Sequence, residues 1–238
     1  MRITVSKENY LKAIAEAESE GESVKAVTLT RWLHVSAPAV TMAIKRLKRD
    51  GLIGVGKEGQ ITLTAAGRAI ANRVLNRHHL IERMLSEIFG LEWYKVHDEA
   101  EQLEHAVSAD FERKLAEKLG RGGLCPHGNR VGLDSPASRR RRGLKPLEEV
   151  QAGERVAVAS VFERDRKLLE YLDRLGIYPG APLEVAGANE GIELRSNGKN
   201  VRIAREAAAK VWVKMNSQSS ACVEAGGPQS GQSRRLES

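Results

Sequence analysis

The chain has 238 residues, 41% of them hydrophobic but only 4% aromatic, and its 38 Lys and Arg against 31 Asp and Glu give a net charge of +7. That length accommodates two small domains or one large one; few aromatics argue against a large aromatic-lined cavity, and the basic balance suits an anionic partner such as nucleic acid. Cys125 and Cys222 form no CxxC pair, no apolar run nears the ~20 residues of a membrane span, and the N-terminus lacks a signal peptide's apolar region, so the expectation is a cytoplasmic protein with no membrane partner.

Residues 7–19 carry Leu11, Ile14 and Ala15 on one side, behind Ser6 as N-cap, which predicts a helix. A short second helix is expected over 27–33. A third opens at Ser36 with Pro38 in its first turn, buries Val40, Ile44 and Leu47, and stops at Gly51. The stretch LIGVGKEGQITLT alternates apolar and polar residues about a glycine-containing turn, which predicts a hairpin, and Thr64 opens the next helix. From 65 to about 119 the pattern is helical, broken at Gly90 and LEWYKVH, with Leu103, Val107, Phe111 and Leu115 stepping along the last helix.

Residues 121–146, with their glycines, prolines and the run Arg139 to Arg142, read as a linker with a solvated basic stretch. Over 147–215, RVAVASV, PLEVAGA, IELRSN, VRIA and KVWVKM read as short strands with one intervening helix, a small β-barrel or sandwich. The division expected is 1–75, 76–120, the linker 121–146, 147–215, and a Ser- and Gly-rich disordered tail, 216–238.

Two segments carry chemistry. TLTRWLHVSAPAVTMAIKRLKRDGLI follows the helix-turn-helix plan, and the hairpin after it, with Lys57 at its turn, has the place of a wing. Ser36, Ala37, Pro38, Ala39, Thr41 and Met42 then reach base edges, the methyl-bearing side chains against thymine methyls. Lys45, Arg46, Lys48 and Arg49 neutralise phosphates. With no Arg or Asn at the helix start, readout rests on apolar contact, water and DNA shape. The bland alternative is a three-helix core with a solvated basic helix.

The second segment is HDEAEQLEH. At 100° per residue His97, Glu101, Glu104 and His105 share an arc of about 100°. Upstream, RHHLIERML sets His78 and Glu82 four apart on another helix. A lone histidine is usually a core or surface residue, but two such helices facing each other supply one or more metal sites. Imidazole and carboxylate without thiolate suit Mn²⁺ or Fe²⁺, with Zn²⁺, Co²⁺ or Ni²⁺ able to substitute.

RHHLIERMLSEIFGLEWYKVHDEAEQLEHAVSADFERKL, followed by CPHGN at 125–129, resembles the metal-dependent transcriptional regulators of the diphtheria toxin repressor and manganese transport regulator type, over about residues 4–215. The resemblance implies a mainly α fold with a β-barrel: a winged helix-turn-helix, a helical metal-binding and dimerisation domain, and a small SH3-like β-barrel. It implies a homodimer on double-stranded promoter DNA, with no catalysis and no small-molecule substrate. It implies an ancillary metal site of His78, Glu82 and His97, to which Glu163 and Asp165 are barrel candidates. The primary site would use Glu101, Glu104, His105 and, near the start of the first helix, Asn9. Iron-type members have Met and Cys at the positions of Asn9 and Glu101, manganese-type members Asp and Glu. Glu101 removes the soft ligand and leans the reading to Mn²⁺, with Fe²⁺ as the alternative. His79 and Glu99 adjoin motif positions without occupying them, and His127 is expected to be structural or exposed. A metal shared between Asn9 and the dimer domain would orient two recognition helices for half-sites about one helical turn apart, at promoters of metal-uptake genes. The competing readings are a metal-independent winged-helix regulator and a metalloenzyme, for which no separate nucleophile or base is found.

Overall fold

The computed structural model describes residues 3–120, 122–130, 134–187, 191–196 and 198–216. Apart from Asn216, the tail expected to be disordered lies outside them. Helix α1 (Val5–Ser19) starts earlier than predicted, because the Thr4 hydroxyl accepts the Lys7 amide; Ser6 lies inside the first turn instead of capping it. Helix α2 (Ala26–Leu33) ends at His34 in the left-handed region, φ 53°. This reverses the chain towards Ser36, whose hydroxyl accepts the Ala39 amide and caps α3 (Ala37–Arg49). Helix α3 buries Val40, Ala43 and Leu47, while the expected Ile44 is only half-buried.

Strands β1 (Ile53–Val55) and β2 (Ile61–Leu63) make an antiparallel hairpin. Thr64 then caps α4 (Ala65–Arg83) by accepting the Gly67 amide. Gly67 lets α4 lie against the hairpin, since a Cβ there would stand 2.0 Å from the Leu52 carbonyl oxygen. Leu11, Ile14, Leu29, Val40, Leu47, Leu52 and Ile61 form the fully buried centre of this first core.

Helix α4 runs on through a wider turn, Met84–Ile88, and packs against α5 (Val96–Leu103) and α6 (Ala109–Leu119) around Ile81, Val96 and Ala100. The single last helix expected from the four-residue step is two helices. The chain turns after Leu103, and Ser108 caps α6 afresh by accepting the Phe111 amide. The stripe is therefore split: Leu115 is buried, but Leu103 and Phe111 are 37% and 47% exposed.

The stretch expected to be a linker is folded. It holds α7 (Pro136–Arg141) and β3 (Leu144–Pro146), and Cys125, His127, Asn129, Asp134 and Arg139 in it are buried. Three of the four arginines of its basic run are paired within the molecule. Arg139 bonds Glu20 at 2.9 Å and lies over the Trp212 ring, Arg140 pairs with Glu149, and Arg142 pairs with Asp134.

The remainder is a six-stranded antiparallel sheet in the order β3-β8-β4-β5-β6-β7, made with β4 (Arg155–Val161), β5 (Pro182–Gly187), β6 (Ile192–Ser196), β7 (Lys199–Ile203) and β8 (Val211–Met215). Register shifts between Val158 and Ser160 and between Val185 and Gly187 bend it. Helix α8 (Arg166–Arg174) lays Leu168, Leu169 and Leu172 on the core, and α9 (Arg205–Ala208) precedes β8. The exit of β4 points residues 162–164 back at α1 and α4.

Candidate metal centre

The C-terminal end of α4 places His78, His79 and Glu82 where the sheet, α5 and the 125–129 turn converge. The i, i+4 spacing puts His78 and Glu82 on one face. Helix α5 adds His97, and the chain leaving β4 adds Glu163. Cys125 and His127 arrive on a turn closed by Gly128 N–H to the Cys125 carbonyl (2.8 Å) and Cys125 N–H to the Asn129 carbonyl (2.9 Å). Gly128 is needed twice: its φ is +80°, and a Cβ would stand 2.0 Å from the Ala159 carbonyl oxygen. The turn is docked on β4 by the Val161 amide, which donates to the His127 carbonyl at 3.0 Å, and by Asn129 Nδ2, which donates to Glu163 Oε2 at 2.6 Å.

His78, His79, Glu82, His97, Cys125, His127 and Glu163 are all buried. Glu82 Oε1 lies 3.0 Å from His78 Nε2, 3.3 Å from His97 Nδ1 and 3.4 Å from His127 Nδ1. Glu163 stands 3.4 Å from Cys125 Sγ, 3.6 Å from His127 Nδ1 and 3.6 Å from His79 Nε2. Ligand atoms of His78, Glu82, His97 and Glu163 lie within 4.8 Å of one another, and so do those of His79, Glu82, Cys125 and Glu163. The two carboxylates are common to both groups.

Burial disfavours the charge of both carboxylates. The imidazoles of His78 and His127 nevertheless hold the Glu82 carboxyl well below its ordinary range, and His79 and His127 hold Glu163 low against burial and the charge of Glu82. Burial also opposes protonation of His97, but hydrogen bonds that the imidazolium donates to Glu101 and Glu82 raise its pKa to about 10. Burial, then the charges of Glu163 and Glu82, push the Cys125 thiol well above its usual value.

Glu82 Oε2, His127 Nε2 and both ring nitrogens of His79 are buried without a hydrogen-bond partner among the described residues. Such orphaned atoms are costly, at about 1–3 kcal/mol each, unless something bonds them. Two buried groups that share both carboxylates, one completed by imidazoles and the other by imidazole and sulfur, fit a first-row divalent ion.

The residues expected to form the primary site come together beside this centre, with an addition the sequence reading lacked. Asn9 Oδ1 is 2.6 Å from His105 Nε2, and Glu8 Oε2 is 3.0 Å from the other ring nitrogen. Glu104 turns inward as the C-cap of α5, its Oε2 2.7 Å from His78 Nδ1. Among them lies the Lys12 ammonium, buried, 2.8 Å from Glu104 Oε2, 2.9 Å from His78 Nδ1 and 3.7 Å from Glu101 Oε1. Arg164 holds Glu101 at 3.0 Å and Glu16 at 2.7 Å, and donates to the Trp32 carbonyl at 3.2 Å.

Asp165 does not join the centre. Its carboxylate caps α8 by accepting the Leu168 amide and pairs with Lys210 at 3.3 Å. His127, expected to be structural or exposed, faces both carboxylates instead. Sequence reasoning missed Cys125, His127, His79, Lys12 and Arg164 as site residues. The CPHGN turn was the available signal for the first two.

The residues expected to contact DNA, Ser36, Ala37, Pro38, Ala39, Thr41, Met42, Lys45, Arg46, Lys48, Arg49 and Lys57, are all exposed. Their exposure along one face of α3 and at the hairpin turn is the arrangement phosphate and groove contacts require. The Thr41 hydroxyl donates to the Ala37 carbonyl at 3.0 Å. Among the described residues no helix is long and apolar enough to cross a membrane.

Comparison with known proteins gives consistent results. Residues 2–60 match the N-terminal DNA-binding domain of iron-dependent repressors, residues 64–131 match their metal-binding and dimerisation domain, and residues 145–215 match the FeoA domain. The chain is 33% identical to the iron-dependent repressor IdeR of Mycobacterium leprae, over 87% of this chain and 95% of that one. It is 32% identical to the diphtheria toxin repressor of Corynebacterium glutamicum, over 87% and 94%. Among solved structures, a manganese-dependent transcriptional repressor in complex with manganese superposes with TM-score 0.77 at 31% identity, covering 88% of this chain and all of that one. ScaR with bound Zn²⁺ gives 0.74 at 28%, covering 88% and 99%.

Proposed function

The chain belongs to the family of metal-dependent transcriptional repressors that includes the diphtheria toxin repressor and IdeR, and from that membership we propose that it represses metal-uptake genes in the cytoplasm, as a homodimer on promoter DNA, when a divalent ion fills the centre around Glu82 and Glu163. Cys125, His127 and His79, with His78 and His97 on the other side, are the further donors. The ion supplies positive charge to two buried carboxylates and joins α4, α5, the 125–129 turn and the β4 exit.

The observation that carries this reading is the adjacency of Glu163 and Arg164. Glu163 reaches into the centre, and the next side chain bonds Glu16 of α1 and the Trp32 carbonyl of α2. The DNA-binding head and the centre thus share one short piece of backbone, so ordering one biases the other. Coupling of that kind is reciprocal: promoter DNA tightens metal binding by the factor by which metal tightens DNA binding. Ile88, Phe89, Leu103 and Phe111, large and exposed on the helical middle of the chain, supply apolar surface for a second copy.

A regulatory role is favoured over catalysis by the repressor family to which the chain belongs and by the link that Arg164 makes from the centre to α1 and α2. The lean to Mn²⁺ rested on Glu101, which Lys12 and Arg164 engage, while Cys125 adds a sulfur donor. Mn²⁺ and Fe²⁺ are therefore both retained as regulatory ions, with Zn²⁺, Co²⁺ and Ni²⁺ as substitutes.

The test is fluorescence anisotropy with promoter fragments of metal-uptake genes. Chelator-stripped protein is titrated with Mn²⁺, with Fe²⁺ under anaerobic conditions, and with Zn²⁺. Affinity that appears only with metal supports the reading, and the rank of the ions selects the regulator. Equal affinity with and without chelator would sink it in favour of a metal-independent winged-helix regulator.

A further inference from the structure

The residues placed at the junction of the DNA-binding head and the helical domain, Asn9, Glu101, Glu104 and His105, do not fit a divalent ion alongside their present neighbours. We propose that in this chain the Lys12 ammonium is the resident cation of that junction, so that head and helical domain are held together there without metal, and that metal sensing is left to the centre around Glu82 and Glu163. The proposal rests on the reading of the protein as a metal-dependent repressor.

Three observations converge. Lys12 is buried, which for an ammonium requires compensation by charge or hydrogen bonds. It finds that compensation in two groups a metal at the junction would use, Glu104 Oε2 at 2.8 Å and the nearby Glu101 at 3.7 Å, and in His78 Nδ1 at 2.9 Å. Second, Arg164 takes up Glu101 from the other side, at 3.0 Å, so two built-in cations already serve these carboxylates. Third, access does not keep an ion away. A cleft of about 220 Å³, lined by Asn9, Leu33, Glu101 and Arg164, opens directly beside Lys12.

A divalent ion bonded to Glu104 and Glu101 would have to share their lone pairs with the ammonium and bear its repulsion at close range. The alternative, withdrawing Lys12 into the cleft, would strip a buried charge of its partners. Geometrically the lysine does what a shared ion would do. It extends from α1 of the head and bonds Glu104 at the end of α5 and His78 of α4. Unlike an ion, it is covalently attached and does not respond to concentration.

The experiment counts Mn²⁺ bound per chain, by elemental analysis after equilibrium dialysis and by the loss of the free-ion paramagnetic resonance signal. It uses the full-length protein and the variants Lys12→Gln and Glu104→Gln. The proposal expects Glu104→Gln to bind as many ions as the unaltered chain, and Lys12→Gln to gain about one equivalent. Loss of one equivalent in Glu104→Gln would overturn it, because the carboxylate would then be a ligand and Lys12 a side chain that steps aside. No gain in a folded Lys12→Gln would also overturn it. If Lys12→Gln does not fold, the Glu104→Gln count decides alone. The count for the unaltered chain reports on the parent reading separately. Failure of the unaltered chain to bind any Mn²⁺, Fe²⁺ or Zn²⁺ removes metal dependence, whereas the differences between variants test Lys12.

Discussion

Glu82 on α4 and Glu163 at the exit of β4 present carboxylate oxygens within 4.8 Å of each other, both in the buried interior. Two like charges so placed repel, and in the metal-free protein the imidazoles of His78, His79 and His127 outweigh burial and that repulsion and keep both carboxyls ionised, ready for a cation. A divalent cation should therefore stabilise the fold strongly. At 100 times its Kd, a ligand bound only to the native state adds about 2.7 kcal/mol, which for a chain of this length is roughly 5–10 °C in Tm. Scanning calorimetry with chelator and then with Mn²⁺ or Zn²⁺ should show the rise, and Glu82→Gln should abolish it. An unchanged Tm in saturating metal would refute the centre.

Metal binding should release protons. The Cys125 thiol is pushed up by burial and by Glu163, so it is protonated at neutral pH in the metal-free protein and must ionise to bond a metal. Apparent affinity then rises with pH between about 6 and 8. Calorimetric titration in buffers of different ionisation enthalpy gives the proton count. Cys125→Ser should lower that count and weaken Zn²⁺ more than Mn²⁺, because sulfur favours the softer ion.

Without metal, His97 gives a signed pH effect. Its pKa rises from 6.5 unfolded to about 10 folded, through Glu101 and Glu82 and against the opposing effect of burial. A raised pKa contributes stability that is fully present below pH 6.5 and is lost as pH climbs through about 10. Urea unfolding of the metal-free protein and of His97→Gln should show a gap at pH 6 that narrows by pH 9.5. A gap that widens with pH would contradict the assignment.

Gly128→Ala tests the turn. The new Cβ would stand 2.0 Å from the Ala159 carbonyl oxygen, at a φ of +80°. Destabilisation of about 2 kcal/mol or more is expected. Cys125 and His127 would be displaced with the turn, and metal affinity should fall at least tenfold. Normal metal affinity in the variant would mean that the turn does not position ligands.

For DNA, Lys45→Ala and Lys57→Ala should each weaken binding about equally on all sequences and reduce the salt slope by about 1. Met42→Ala should instead lower discrimination at thymine positions by roughly 1 kcal/mol. Anisotropy at several salt concentrations, on operator and scrambled duplexes, separates the two classes. A base-specific loss from Lys57→Ala would mean that the hairpin reads bases.

What the sequence determined by itself was local. Caps such as Ser36 and Thr64, the i, i+4 pair His78 and Glu82, and the alternation of the hairpin depend on neighbours within a few residues. Their elements therefore form as expected. Helical phase was less reliable where a turn intervened. A single helix through residue 115 was expected, yet Ser108 caps a new one, and Glu104 faces inward because the chain bends there. Only the tertiary structure decided the composition of the centre. Cys125 and His127 meet Glu82 across some forty residues because the Gly128 turn docks on β4, a contact no local pattern encodes. It likewise decided that Asp165 is a helix cap and that Arg139 is buried over Trp212 instead of solvated. Lys12 is the sharpest case. Nothing in the sequence singles it out, because a buried charge is affordable only where distant groups supply its partners, and those partners, His78 and Glu104, reach it only through tertiary packing.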